Sequence, residues 1–214
     1  SICNVGIPSG IENSMFQIGR LLTQRIFTTF GTVALAANAV ASVVNSFSFM
    51  PGMAFGITLL TVVGQCIGAG DYEAAKKFTA KILKTAFIVI FISSLLIFIF
   101  MKQLIGLFNL SPEAHELAKS FLRIHCISMG IGWVFSFALP NALRAAGDAR
   151  FVMVASSVSM WIVRVGVAYF LAFVIKAGPI SVWLAMGLDF VVRGTCFITR
   201  WRKGKWQGKK VISD

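Results

Sequence analysis

Apolar positions along the chain fall in long runs rather than in alternation, at about 7–30, 35–69, 78–101, 117–142, 151–175 and 179–199. An α-helix needs roughly twenty such residues to cross about 30 Å of hydrocarbon. Alternating ten-residue segments, the signature of a membrane barrel, are absent. The pattern predicts an all-α polytopic membrane protein: six transmembrane helices in one bundle over 1–199, then a basic tail over 200–214. The second run exceeds a straight crossing and contains Pro51 and Gly52. Proline inside a helix removes a backbone hydrogen bond and crowds the preceding turn, which predicts a kink, and a hinge, at these two residues.

Charge then orients the helices. No Asp, Glu, Lys or Arg lies between Arg25 and Asp71, after which Glu73, Lys76 and Lys77 arrive together. The second polar turn carries Lys76, Lys77, Lys81 and Lys84, and the fourth Arg144 and Arg150. Arg200, Arg202, Lys203, Lys205, Lys209 and Lys210 follow the sixth run. These twelve basic residues share one side, against Lys102, Lys119, Arg123 and Lys176 on the other. Cytoplasmic loops concentrate Lys and Arg, so both termini are expected in the cytoplasm.

The first run has a second layer of pattern. At about 100° per residue, Ser9, Glu12, Asn13, Phe16, Gln17, Arg20, Thr23 and Gln24 share one sector, with Ile and Leu opposite. Such a stripe must face protein or water, as glue between helices or as the lining of a wet cavity. Glu12 and Asp189 are the carboxylates at membrane depth, with Arg20, Arg164 and Arg193 as deep cations. Asp189 and Arg193 stand four apart and can pair within one helix. Glu12 is then expected to pair with Arg20 or Arg164, in a network joining spans one, five and six. Glu12, Asn13, Gln17, Arg20, Arg164 and Asp189 are therefore the candidate cavity residues. The spacings Gly6/Gly10, Gly52/Gly56 and Gly64/Gly68 predict close helix approaches.

Composition changes this picture little. The chain has 214 residues, 57% hydrophobic and 13% charged, about half the charge of a typical soluble domain. A net charge of +12 would suit nucleic acid if it formed a soluble patch. Placed between apolar runs it suits membrane topology instead, and no nucleic-acid partner is expected. Cys3, Cys66, Cys126 and Cys196 are scattered, which argues against a metal site or a disulfide framework. No phosphate-binding loop, metalloprotease helix or nucleophile elbow occurs. The reading is a non-enzyme without a cofactor, driven by a gradient or a partner. The chain opens on Ser without a charged leader, as a segment of a longer protein would.

Several stretches together resemble the multidrug and toxic compound extrusion (MATE) family of cation-coupled antiporters. They are "GIPSG" opening the first run, "MPGMAFG" in the second, "VGQCIGAGDYEAAKK" and "LPNALRAAGDARF" at two turns, and the terminal "RWRKGKWQ". The resemblance covers the whole chain and corresponds to the C-terminal half of a twelve-helix protein. It implies one lobe of a two-lobe plasma-membrane transporter that exports cationic amphipathic compounds against Na⁺ or H⁺. A second six-helix lobe, covalent or associated, is the implied partner. Two positions depart from the family pattern: acids common in relatives are here Phe16 and Trp133, leaving Glu12, one turn before Phe16, as the substitute coupling carboxylate. A related flippase of lipid-linked or polar products and a non-transporting scaffold are the alternatives.

Overall fold

The computed structural model describes residues 2–207, with side chains from residue 6 onward except residue 8; Lys209 and Lys210 of the expected tail lie outside this range. Among the described residues the chain is helical and contains no strand. Six long helices account for it: α1 (Ile2–Thr29), α2 (Thr32–Gly68), α3 (Tyr72–Ile99), α5 (Pro112–Ala145), α6 (Ala149–Val174) and α7 (Ile180–Arg202). A short α4 (Met101–Gly106) follows α3 and buries Met101 and Ile105. Helices α2, α3, α5, α6 and α7 are long and apolar enough to cross a membrane. Helix α1 has the length, at 28 residues, but spends one face on polar side chains.

Local chemistry sets the boundaries. Helix α3 starts at Tyr72, ahead of the expected 78, because the Asp71 carboxylate accepts the Ala74 N–H at 2.8 Å. An acidic cap satisfies an orphan donor and complements the helix dipole. Glu73, Lys76 and Lys77 therefore lie on the helix rather than in a turn. Ser111 caps α5 in the same way, with Pro112 in the first turn. The turns before α3 and α6 are built alike. Asp71 N–H bonds the Cys66 carbonyl and Asp148 N–H the Leu143 carbonyl, each at 2.9 Å, across Gly70 and Gly147 at φ 76° and 80°. This is a Schellman closure, and the positive φ calls for glycine.

The expected boundary at 199/200 cuts through α7, which continues to Arg202. Beyond it the chain folds back. Trp206 is buried, stacks on Trp201 at 4.2 Å and lies 6.0 Å from Tyr72. Arg200 meanwhile bonds the buried Asp148 at 2.7 Å. These contacts gather the segments around Tyr72, Asp148 and Arg200 at one end of the bundle. At the other end Phe30 stacks on Phe173 at 6.3 Å.

Helices α5 and α7 are the most buried spans. They approach closely where Gly132 faces the Phe190 backbone and the Ser136 hydroxyl donates to the Phe190 carbonyl. Helix α2 packs on α3 and α5, and α1 packs on α6. Although only Phe30 and Gly31 separate them, α1 and α2 touch little and flank a cleft. Outward, α3 exposes Phe87, Phe91, Ile92, Leu95 and Phe98, a face suited to hydrocarbon. Of the three glycine pairs, Gly52/Gly56 meets neighbours in this chain, at Trp133 and Asn141, while Gly6/Gly10 and Gly64/Gly68 face open space. Gly52, expected as half of a hinge, packs against Trp133 of α5.

Candidate functional site

The cleft between α1 and α2 opens into a cavity of about 650 Å³ lined by α1, α2, α5, α6 and α7. From α1 come Glu12, Asn13, Phe16, Arg20, Thr23 and Gln24, most of the stripe that the sequence marks. The Thr23 hydroxyl is spent on its own helix, donating to the Gly19 and Arg20 carbonyls. Helix α2 contributes Asn38, Ser42, Asn45 and Ser46. These positions recur at helical spacing on one face, a polar pattern that lies outside the candidate set from the first run.

Aromatic rings form the opposite wall. Trp133 stacks on Phe137 at 5.2 Å and on Phe49 at 6.5 Å, and Phe16 and Phe190 meet the edge of Phe137. Here α5 is wound in wide π-type turns over Met129–Ala138, as α6 is over Ser159–Gly166. Such turns re-phase side chains relative to a regular helix and recur at functional sites. They bring Trp133, Ser136, Phe137 and Arg164 to the cavity.

Two charged clusters line the cavity. Toward the end bearing the Asp148 turn, Arg144 Nη2 donates to both Glu12 oxygens at 2.8 Å, and Nη1 donates to Asn141 Oδ1 at 2.8 Å. This corrects the expectation that Glu12 pairs with Arg20 or Arg164. It also removes Arg144 from the cations presented to the membrane surface, since its side chain is 22% exposed. Deeper in, Asp189 contacts Arg193 directly, as the four-residue spacing predicted. Asp189 also accepts the Ser159 hydroxyl at 2.5 Å and lies 3.9 Å from Arg164. Phe16 lies against both arginines, its ring centroid 5.4 Å from the Arg164 guanidinium and 5.3 Å from that of Arg193. The network thus joins α1, α6 and α7 through Phe16 and not through Glu12.

Of the sequence candidates, Glu12, Asn13, Arg20 and Arg164 line the cavity. Asp189 is fully buried behind it and positions Arg193 and Arg164. Gln17 is exposed and, like Ser9, does not line it. The cavity further includes His125, Asn141, Arg144 and Arg193. Arg144 stands three residues before the turn glycine Gly147 and in sequence resembles a loop cation. Among the described residues no three His, Cys, Asp or Glu cluster as metal ligands.

The family model described as MatE matches residues 8–170. The chain is 30% identical over 205 residues to YisQ of Bacillus subtilis, described as an uncharacterized transporter, covering 96% of this chain and 45% of that one. It is 28% identical to a probable multidrug resistance protein, NorM, of Thermotoga maritima, covering 99% and 46%. The chain therefore spans about half the length of the curated relatives it matches. Among solved structures, a MATE in complex with MaD5 superposes with a TM-score of 0.87 at 22% identity, over 100% of this chain and 48% of that one. A MOP superfamily transporter from Pyrococcus furiosus superposes with a TM-score of 0.80 at 24% identity, over 99% and 46%.

Proposed function

We propose, given that this chain belongs to the MatE family, that it forms one lobe of an ion-driven exporter of amphipathic small molecules. The observation that carries this reading is the cavity of about 650 Å³, polar along α1 and α2, aromatic along α5, and open between α1 and α2. A lone lobe would leave Asn13, Arg20 and Gln24 on that open side facing lipid, and unmatched polar groups in hydrocarbon cost several kcal/mol. A second six-helix lobe facing the cleft would complete the cavity, and rocking of the two lobes would give alternating access.

The protein is multi-pass. We assign the end bearing the Asp71, Asp148 and Arg200 segments to the cytoplasm, on the positive-inside rule, and the protein to the plasma membrane. Glu12 is the carboxylate we assign to the coupling ion, Na⁺ or H⁺. It lines the cavity, and Arg144, its one counter-charge among the described residues, can release it when the ion binds. Cationic amphipathic cargo, the class carried by the family resemblance, would need carboxylates from the second lobe, because Glu12 and Asp189 are both engaged by arginines here. For the Pyrococcus furiosus transporter, reverse polarity of the binding pocket has been described. Likeness of fold does not transfer that property, so the sign of this cavity is read from its own side chains.

The test is transport by the complete protein in proteoliposomes, with an imposed Na⁺ or H⁺ gradient and an amphipathic dye. Gradient-dependent export is expected, with none from the 214-residue chain reconstituted alone. Export by the lone chain, or dye movement indifferent to both gradients, would remove the reading.

A further inference from the structure

The charges around the cavity do not balance. Four arginines, Arg20, Arg144, Arg164 and Arg193, line it against the two carboxylates of Glu12 and Asp189. Arg144 and Glu12 neutralise each other. Asp189, however, serves Arg193 and Arg164 at once, and Arg20 has no carboxylate within ion-pair distance among the described residues. Arg164 and Arg193 converge on the same Asp189 oxygen and both lie over the Phe16 ring, so the surplus is local. Arg164 and Arg193 are the enclosed pair, with side chains 12% and 2% exposed, and charges so enclosed with one carboxylate between them are costly for a membrane protein to hold.

The hydrogen-bond inventory points the same way. The Nε of Arg164, the Nε of Arg193 and the indole Nε1 of Trp183 are buried without a partner, as are both ring nitrogens of His125. All four residues line the cavity, and Arg193 is 2% exposed. Arginine and tryptophan nitrogens are donors only. Asn45 Oδ1, also on the lining, lacks a donor, and His125 lacks a partner of either kind, but the Arg164, Arg193 and Trp183 nitrogens lack an acceptor, and one bearing negative charge suits the two arginines. Phe16 and Phe137 lie against the guanidiniums, with Arg193 4.8 Å from the Phe137 centroid. Cation–π contact offsets part of the burial cost but supplies no acceptor for the N–H groups.

We infer that Arg20, Arg164 and Arg193 bind the acidic group of the cargo, a carboxylate or another oxyanion, while its apolar ring lies on the wall of Phe49, Trp133 and Phe137. The inference rests on the exporter reading only in taking the cavity as the place where cargo sits. It reverses the sign of the cargo that the family resemblance implies.

Three matched probes test it on the complete transporter purified in lipid: 2-naphthoate, 2-naphthylmethanol and 2-naphthylmethylammonium, with affinity read by calorimetry. Naphthoate should bind at least tenfold more tightly than the other two. Arg20→Gln removes an exposed side chain without a carboxylate partner, so it should leave the thermal unfolding profile intact and abolish most of the naphthoate preference. Arg164→Gln should also abolish most of the naphthoate preference, at some cost in stability because it leaves the Asp189 network. Equal affinity for naphthoate and the alcohol would mean that acids of the second lobe neutralise the arginines, and would overturn the proposal. Tighter binding of the ammonium, or an undiminished naphthoate preference in folded Arg20→Gln, would overturn it too. Gradient-driven export of the same probes separates the two readings. Naphthoate bound tightly but never exported keeps this site and sinks the exporter, whereas export of the ammonium with no naphthoate preference does the reverse.

Discussion

Arg144 in the last turn of α5 holds both oxygens of Glu12 in α1 through a single nitrogen, at 2.8 Å, across 132 positions of sequence. The pair bridges the cleft side of α1 to α5 near the end bearing the Asp148 turn. Either it is a fixed brace or it opens during the cycle, and mutation distinguishes the two. Arg144→Gln strands a carboxylate that is 12% exposed; breaking such a pair costs on the order of 3 kcal/mol. Membrane abundance should fall, and Glu12→Gln in the same chain should restore it. Glu12→Gln alone leaves Arg144 its bond to Asn141 Oδ1 and a neutral amide oxygen as acceptor, so it should express normally in the complete transporter while efflux stops following the ion gradient. Normal coupling in that variant would move the coupling site out of this lobe.

Gly52 faces Trp133 so closely that a methyl group would overlap the indole ring. Gly52→Ala should therefore destabilise the bundle by about 1–3 kcal/mol through overpacking, seen as a lower unfolding temperature in detergent. Gly64→Ala, with nothing within 4 Å, should be neutral. A comparable loss there would mean that Gly64/Gly68 packs against something outside this chain. Pro51 acts differently, since it withholds a backbone donor within α2. Pro51→Ala should preserve abundance and slow exchange between inward- and outward-facing states; unchanged turnover would make the proline passive.

Orientation follows from the gathering of basic segments at one end. A cysteine replacing Lys176, between α6 and α7, should react with an impermeant thiol reagent in intact cells once the native cysteines are replaced. A cysteine at Lys76 should react in inverted vesicles alone. The opposite labelling pattern would invert the topology.

Trp206 is 1% exposed, stacks on Trp201 and donates its indole N–H to the Trp201 carbonyl at 3.0 Å. Removing a ring so buried costs about 3–5 kcal/mol of local packing. Trp206→Ala should accelerate tryptic cleavage after Lys203 and Lys205 by more than tenfold, with helix content unchanged. Equal cleavage rates would show that the stack does not hold the chain end.

Much of the fold was legible along the chain because lipid constrains each helix separately. A span must be long and apolar by itself, whatever its neighbours do, so 35–69 and 179–199 announce α2 and α7 without any knowledge of packing. Asp189–Arg193 was equally legible, since the helical repeat alone brings residues four apart together. The stripe of α1 declared that one face avoids lipid, and Glu12, Asn13, Arg20 and Gln24 duly line the cavity.

The choice of partner for that face belonged to the tertiary structure. Whether Glu12 meets Arg20, Arg164 or Arg144 depends on how α1 is rotated and set against α5 and α6, and helical periodicity carries no information on that. The π-type turns of α5 and α6 shift the phase of the very segments that supply Trp133, Phe137 and Arg164. The return of Trp206 onto Trp201 and Tyr72 likewise depends on a reversal at Gly204, φ 64°. Sequence determined which helices exist and which faces shun lipid, because those are properties of single segments in a solvent. Only the tertiary structure decided which charges neutralise one another, because ion pairing acts over a few ångströms between segments that the sequence leaves far apart.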